Sequence, residues 1–192
     1  MIKTNLPIYL ASKSPRRKKL LEQVNLNFKI LPVETPEIFR NGERPVDAVR
    51  RIAIEKLDAA KEIIKEGIII TADTVVVIHG KIIGKPLHKN DAVRMLKKLS
   101  GNTHIVYTGF SVHNSVTKKT ITDYEKTYVT FRKLNTNEIK EYVETGSPLD
   151  KAGAYGIQDD YGAVFIKKIN GCYYNVVGLP LTKVFQTMLR II

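Results

Sequence analysis

The sequence predicts an α/β fold with a mixed, partly antiparallel central sheet and flanking helices. Three observations carry this. Short apolar runs alternate with segments of helical period along the whole chain. One run, Ile68-Ile69-Ile70-Thr71-Ala72, is continuously apolar, as befits a central strand buried on both faces. Two long β-rich segments, roughly 103–114 and 120–134, flank a short polar connection and read as an antiparallel pair. That pair argues against a doubly wound parallel sheet.

In chain order, Pro7 to Ala11 reads as the first strand and leads into Ser14 and Pro15. Serine is a favoured N-cap, and proline suits the first helical position because it has no N–H to leave unpaired. Asn27 to Leu31 reads as a second strand, and the loop from Pro32 to Arg44 carries Glu34, Glu37 and Glu43. Pro45 opens a helix whose apolar stripe is Val46, Val49, Ala53, Leu57, Ala60 and Ile64, and Gly67 closes it. After the apolar run come Asp73-Thr74 and a further strand, Val75 to Ile78. His79-Gly80-Lys81 reads as a hairpin turn into Ile82-Ile83. Asn90 is the expected cap of a helix to Leu99, stopped by Gly101. Beyond the antiparallel pair, Asn135 or Thr136 caps a helix to Thr145, and a loop from Asp150 to Gly162 precedes a strand at Ala163–Ile169. Asn170-Gly171 is a turn signal, and Pro180 starts the last helix.

A chain of 192 residues makes one domain, or two tightly joined lobes, with room for a sizeable core. Hydrophobic residues at 43% and charged residues at 26% are ordinary for a soluble globular protein. The net charge of +12 invites a nucleic-acid reading, but the lysines and arginines are scattered, without a dense block or interleaved aromatics. An anionic small substrate accounts for the charge better than specific nucleic-acid binding. Cys172 is the single cysteine, which excludes an intrachain disulfide and a thiolate metal cluster. With no signal-peptide pattern and no apolar stretch of membrane-spanning length, the expected compartment is the cytoplasm. His79, His88, His104 and His113 are each isolated, without the ligand spacing of a zinc site, and no GxSxG elbow is present.

Four places are candidates for chemistry. Arg16 and Arg17 follow Ser14-Pro15 in a first helical turn, where the helix dipole disfavours cations. They make sense if an anion binds beside the free N–H groups of that turn, and a basic surface helix start is the plainer alternative. Asp73 directly follows five strand residues, where open α/β sheets commonly place their sites, and a buried carboxylate there demands a cation or a metal. Alternatively it only turns the chain between two strands. The segment Gly80 to Pro86 fails the Walker pattern, being one residue short and ending in proline, and Lys85 remains as a phosphate-binding point charge or a solvated turn lysine. In Asp150 to Gln158, small residues permit close backbone approach to a ligand, and Gln158 offers a donor and an acceptor suited to a base edge. By itself that segment also reads as an ordinary flexible loop.

Taken together, these pieces resemble the Maf family of nucleoside triphosphate pyrophosphatases. The resemblance rests on LASKSPRRKKLLEQ, the helix with Glu55-Lys56, TADTVVV, GKIIGKP, DAVRMLKKLSGNTH with VYTG, EKTYVTFRKL, ETGSPLDKAGAYGIQ and YYNVVGLPL, in family order from Leu10 to Leu181. It implies a fold similar to the inosine triphosphatase group, a single domain over 1–192 made of two lobes around a deep cleft, acting as one catalytic unit. It implies hydrolysis between the α- and β-phosphates of a nucleoside triphosphate with a divalent cation, Mg²⁺ or Mn²⁺. KAGAYGIQ resembles the subgroup acting on dTTP and UTP, modified pyrimidine nucleotides included. By the same resemblance Asp73 is the proton acceptor or a metal ligand, while Arg16, Thr74 and Gln158 bear on substrate choice. Arg17, Lys56 and Lys85 neutralise the triphosphate, and Ser14 adds a neutral donor. The family's adjacent acidic pair is split here in Val33-Glu34-Thr35-Pro36-Glu37, with Glu34 the first choice as metal ligand and Glu37 the alternative. Asp159-Asp160 stand where the family usually has glycine. The resemblance also allows a homodimer, and a nucleotide- or nucleic-acid-binding regulator of cell division is the non-enzymatic alternative.

Overall fold

The computed structural model describes residues 2–158 and 161–192. Asp159 and Asp160, the departure from the family's glycine, lie outside the described residues. The chain is a mixed α/β structure with a seven-stranded sheet whose strands lie in the order 29–30, 8–10, 68–78, 103–114, 120–131 and 166–170, with 81–83 also paired to 68–78. It divides into two compact units. The first comprises the chain up to Asp73, Thr108–Glu125 and Gly178–Ile192, and the second Thr74–Tyr107 and Lys126–Val177. No helix among the described residues is long and apolar enough to cross a membrane.

In the first unit, β1 (Ile8–Leu10) lies parallel to β2 (Lys29–Ile30) and to the start of β3 (Ile68–Ile78), with Ile8 opposite Ile68 and Leu10 opposite Ile70. Helix α1 (Pro15–Gln23) begins as its residues dictate, with Ser14 as N-cap accepting from the Arg17 N–H and Pro15 in the first turn. Helix α2 (Pro45–Ile63) buries Ala48, Val49, Ile52, Ala53, Lys56, Leu57 and Ala60 along one face. The spacing of Val49, Ile52, Ala53 and Lys56 is one helical stripe, so the face that packs on the sheet also carries an ammonium. The helix lies close: a Cβ on Gly109 would fall 2.4 Å from the Val49 carbonyl oxygen. Helix α2 ends at Ile63, before the expected stop at Gly67. Helix α6 (Leu181–Ile191) closes the chain as Pro180 predicts.

One expectation fails at an important place. The sequence leads one to expect separate strands over 68–72 and 75–78, whereas β3 is a single strand of 11 residues with Asp73 inside it. The partners explain why both views have substance. The β1 register covers residues 68–70 and the β4 register covers 76–78, so neither accompanies Asp73. The backbone runs on while its neighbours on the ladder change.

In the second unit, β4 (Lys81–Ile83) returns antiparallel on β3 as the hairpin signal predicts. Helix α3 (Lys89–Leu99) is capped by His88, whose Nδ1 accepts from the Asp91 N–H, two residues earlier than the expected Asn90 cap. Strands β5 (Thr103–Asn114) and β6 (Thr120–Phe131), each with residues in both units, are joined by five residues, which only an antiparallel pair permits. The side-chain pairs Thr103–Thr130, Ser111–Thr122 and His113–Thr120 all obey one antiparallel register. Asn135 caps α4 (Thr136–Glu144) in a capping box with Glu138. The strand expected at 163–169 starts later, as β7 (Ile166–Asn170), because Tyr161–Phe165 form a 3-10 turn that buries Phe165. A short helix α5 (Tyr173–Val177) was not signalled by periodicity. It is held through Asn175, whose amide donates to the Val106 carbonyl and to Thr127 Oγ1, at 3.0 and 2.9 Å.

Two outcomes follow from this packing. Gly109→Ala places a methyl group into the α2 backbone, and we expect a loss of roughly 3 kcal/mol or more in urea denaturation. His104, 1% exposed, is held down to about 3 by burial. The unfolded imidazole takes its proton near the usual 6.5, so as pH falls the unfolded state gains a proton first. Stability present above pH 6.5 is lost progressively toward pH 3, by about 2 kcal/mol between pH 7 and 5. His104→Phe removes that part of the pH dependence, and an unchanged slope contradicts the assignment.

Candidate active site

The site grows from two alternations that meet. Thr71 and Asp73 are two apart on β3 and so share a face, and Ala53 and Lys56 are three apart on α2. Thr71 Oγ1 donates to the Ala53 carbonyl at 2.7 Å, pinning strand to helix. One step further along both elements, Lys56 Nζ donates to Asp73 Oδ1 at 2.7 Å. The same ammonium donates to Glu37 Oε1 at 2.8 Å, so one cation stands between two carboxylates.

Burial differs sharply across this group. Asp73 is 3% exposed and Lys56 7%, whereas the Glu37 side chain is 37% exposed. Removal from water pushes the Asp73 carboxyl above its ordinary value. The Lys56 ammonium and the Arg17 guanidinium pull it back, while Glu37 pushes it further up. Arg17 is itself buried, donating from Nε to the Gly178 carbonyl at 2.8 Å and from Nη1 to Ser12 Oγ at 3.1 Å. Burial lowers its guanidinium from the ordinary value, with Asp73 and Glu37 opposing. Arg17 thus ties the start of α1 to the segment before α6 while lending positive charge to Asp73.

The loop bearing Glu37 is held by Arg51, on the same helix as Lys56. Arg51 meets Glu43 through two hydrogen bonds of 2.7 Å, from Nε and Nη2. It also donates at 2.8 Å to Glu55 Oε1 and to the carbonyl of Ile38, the residue after Glu37. This fork holds the Glu43 carboxyl well below the usual range, at about 2.

The structure therefore brings together Asp73, Lys56, Arg17 and the alternative acid Glu37. Glu34 is placed otherwise: its side chain is 79% exposed and pairs with Lys13. Ser14 caps α1 and Arg16 is half-buried one residue beyond Pro15. In the second unit, Thr74 and Gln158 are half-buried and Lys85 is exposed just beyond β4. Sequence reasoning missed Ser12 and Arg51. Ser12 carries a signal, a hydroxyl directly after a buried strand, but Arg51 reads in the sequence as one more surface arginine.

Among the described residues, no group of three or more histidine, cysteine, aspartate or glutamate side chains is gathered to hold a metal. Two carboxylates facing one ammonium are nonetheless a donor set that suits Mg²⁺, which takes one or two carboxylates and completes its shell with water and phosphate oxygens. Lys56 stands in for a cation there.

Comparison with known proteins agrees with this chemistry. A dTTP/UTP pyrophosphatase of Syntrophomonas wolfei is 43% identical over 181 residues, covering 94% of this chain and 95% of that protein. Another from Geobacter sp. strain M21 is 46% identical over 184 residues, with 96% and 95% covered. A third, from Bacillus cytotoxicus, is 45% identical over 179 residues, with 93% and 92% covered. Residues 7–191 match the model of the family described as Maf-like protein, and the chain belongs to that family.

Proposed function

We propose that this protein hydrolyses dTTP and UTP, modified pyrimidine nucleotides included, to the nucleoside monophosphate and pyrophosphate. The observation that carries this reading is a buried strand carboxylate, Asp73, held against the Lys56 ammonium, in a chain so similar to proteins of that activity. Lys56 engages Oδ1, which leaves Oδ2 of Asp73 to take the proton of the attacking water. The water oxygen bonds to the α-phosphorus, the bond from that phosphorus to the bridging oxygen breaks, and pyrophosphate leaves with the electron pair. Burial raises the Asp73 carboxyl, which brings a weak base closer to the working pH and makes it more effective. Glu37 is the carboxylate proposed to hold Mg²⁺ or Mn²⁺, in preference to Glu34 because it shares Lys56 with Asp73; holding the metal is the alternative role for Asp73. A bound divalent ion offsets triphosphate charge and polarises the α-phosphoryl group.

The start of α1 supplies what an anion needs: N–H groups behind the Ser14 cap, the Ser14 hydroxyl and Arg16. Arg17 contributes charge from within. Lys85 neutralises phosphate as a point charge, while Arg16, Thr74 and Gln158 bear on substrate choice. The Gln158 amide matches a pyrimidine edge that presents carbonyl oxygens and an N3–H.

Purified protein with Mg²⁺ or Mn²⁺ is expected to release pyrophosphate from dTTP and UTP in preference to CTP and a methylated GTP. Asp73→Asn is expected to lower kcat about 100-fold or more, and Lys85→Ala to remove most of the rate. Release from none of the four nucleotides overturns the proposal. Because Asp73 must be ionised to accept a proton and its carboxyl is raised, kcat/KM should climb with pH through a midpoint above ~4, the ordinary carboxylate value. A separate check concerns the metal: Glu37→Gln should weaken Mn²⁺ binding, followed by electron paramagnetic resonance, while Glu34→Gln leaves it unchanged. The reverse order would restore Glu34 as the ligand.

A further inference from the structure

The segment 151–158 carries Gln158 and is fastened in three places within the second unit. At its start the buried Lys151 ammonium donates to the Ser147 carbonyl at 2.6 Å, to Ser147 Oγ at 3.0 Å and to Asp150 Oδ1 at 2.9 Å. In its middle the Gly153 N–H donates to the Gly84 carbonyl at 3.0 Å. Gly153 has φ +72, and a Cβ there would fall 2.9 Å from Val76 Cγ2. Ala154 follows with φ 63, fully buried, in a region that L side chains occupy only when their surroundings over-determine it.

The third fastening is Tyr155. Its hydroxyl lies 2.7 Å from Nε2 of His104 on β5, with both residues buried. The two rings and Phe131 pack edge to face, at centroid distances of 5.3, 4.8 and 5.1 Å. A histidine is a costly choice for that cluster, because its Nδ1 is buried with no hydrogen-bond partner among the described residues. Phenylalanine would fill the same space without that cost. Packing therefore does not account for the imidazole, and the directional bond to Tyr155 does. It fixes the Tyr155 ring along its own axis, three residues before Gln158.

We infer that His104 is a positioning residue that, through Tyr155, holds segment 151–158 where Gln158 meets the pyrimidine edge, and so sets base selectivity. This rests on the proposed activity and deepens it by adding a selectivity determinant from a strand outside the nucleotide-binding segments.

The test uses His104→Phe, Tyr155→Phe and the double variant, which keep the rings and delete the hydrogen bond. The readout is the ratio of kcat/KM for dTTP over CTP, with thermal stability followed in parallel. Each single variant should lower that ratio about tenfold while kcat for dTTP stays within about threefold. The double variant should be no worse than either single one, since both remove the same bond. His104→Gln, which keeps a nitrogen near the Nε2 position, should recover part of the selectivity. An unchanged ratio in His104→Phe, with or without a shift in stability, reduces His104 to a packing residue and overturns the inference alone. Absence of hydrolysis by the parent protein overturns the proposed activity and this inference with it.

Discussion

A carboxylate that is 3% exposed on the central strand can stay charged only if a cation is fixed beside it. Lys56 is that cation, and it does two tasks at once because its ammonium also reaches Glu37. Breaking such a buried pair by deleting one partner typically costs about 3–5 kcal/mol, a large share of the roughly 5–15 kcal/mol by which domains are folded. The strand, the helix and the acidic loop are thus bound to one another through a charge that the proposed chemistry needs. The arrangement is not favourable for stability as such, since a well-packed apolar pair of the same volume would serve as well. What it provides is an aspartate with a raised carboxyl in a fixed position.

The rest of the first unit can be understood as what keeps that ammonium in reach. Gly109 lets α2 settle on the sheet to within a distance no side chain would allow. Thr71 locks the Ala53 carbonyl, which sets the axial position of the helix against β3. Arg51 uses its fork on Glu43 and its remaining donors on Glu55 and the Ile38 carbonyl, so the loop that delivers Glu37 is tied to the helix that delivers Lys56. Arg17 closes the group from the side of α1 and Gly178. The contacts of Thr71, Arg51 and Arg17 are short and polar, whereas the apolar stripe of α2 is buried on the sheet.

Much of this was legible in the sequence where local chemistry decides the outcome. The Ser14-Pro15 helix start, the apolar stripe of α2, the β4 hairpin and the Asn135 cap all depend on neighbours a few residues away. Asp73 stood out for a sound reason, a carboxylate embedded in an apolar strand, but the break expected there is absent: β3 runs on through Asp73 with β5, distant in sequence, as its neighbour in the sheet. Glu34 and Glu37 are equivalent by type and nearly so by position. Long-range contacts distinguish them: Arg51 holds the Ile38 carbonyl beside Glu37, which faces Lys56, while Glu34 pairs with Lys13. The late start of β7 has a similar origin, since Phe165 is taken by the core before the chain joins the ladder. Family resemblance supplied the reaction class; the residues supplied the reason that Asp73 can serve it.

Hydrolysis of dTTP in water enriched in ¹⁸O, with the products separated and weighed by mass spectrometry, identifies the phosphorus that water attacks. Attack on the α-phosphorus by water activated at Asp73 places one labelled oxygen in thymidine monophosphate and none in pyrophosphate. Label in pyrophosphate, or release of orthophosphate in its place, rules that attack out.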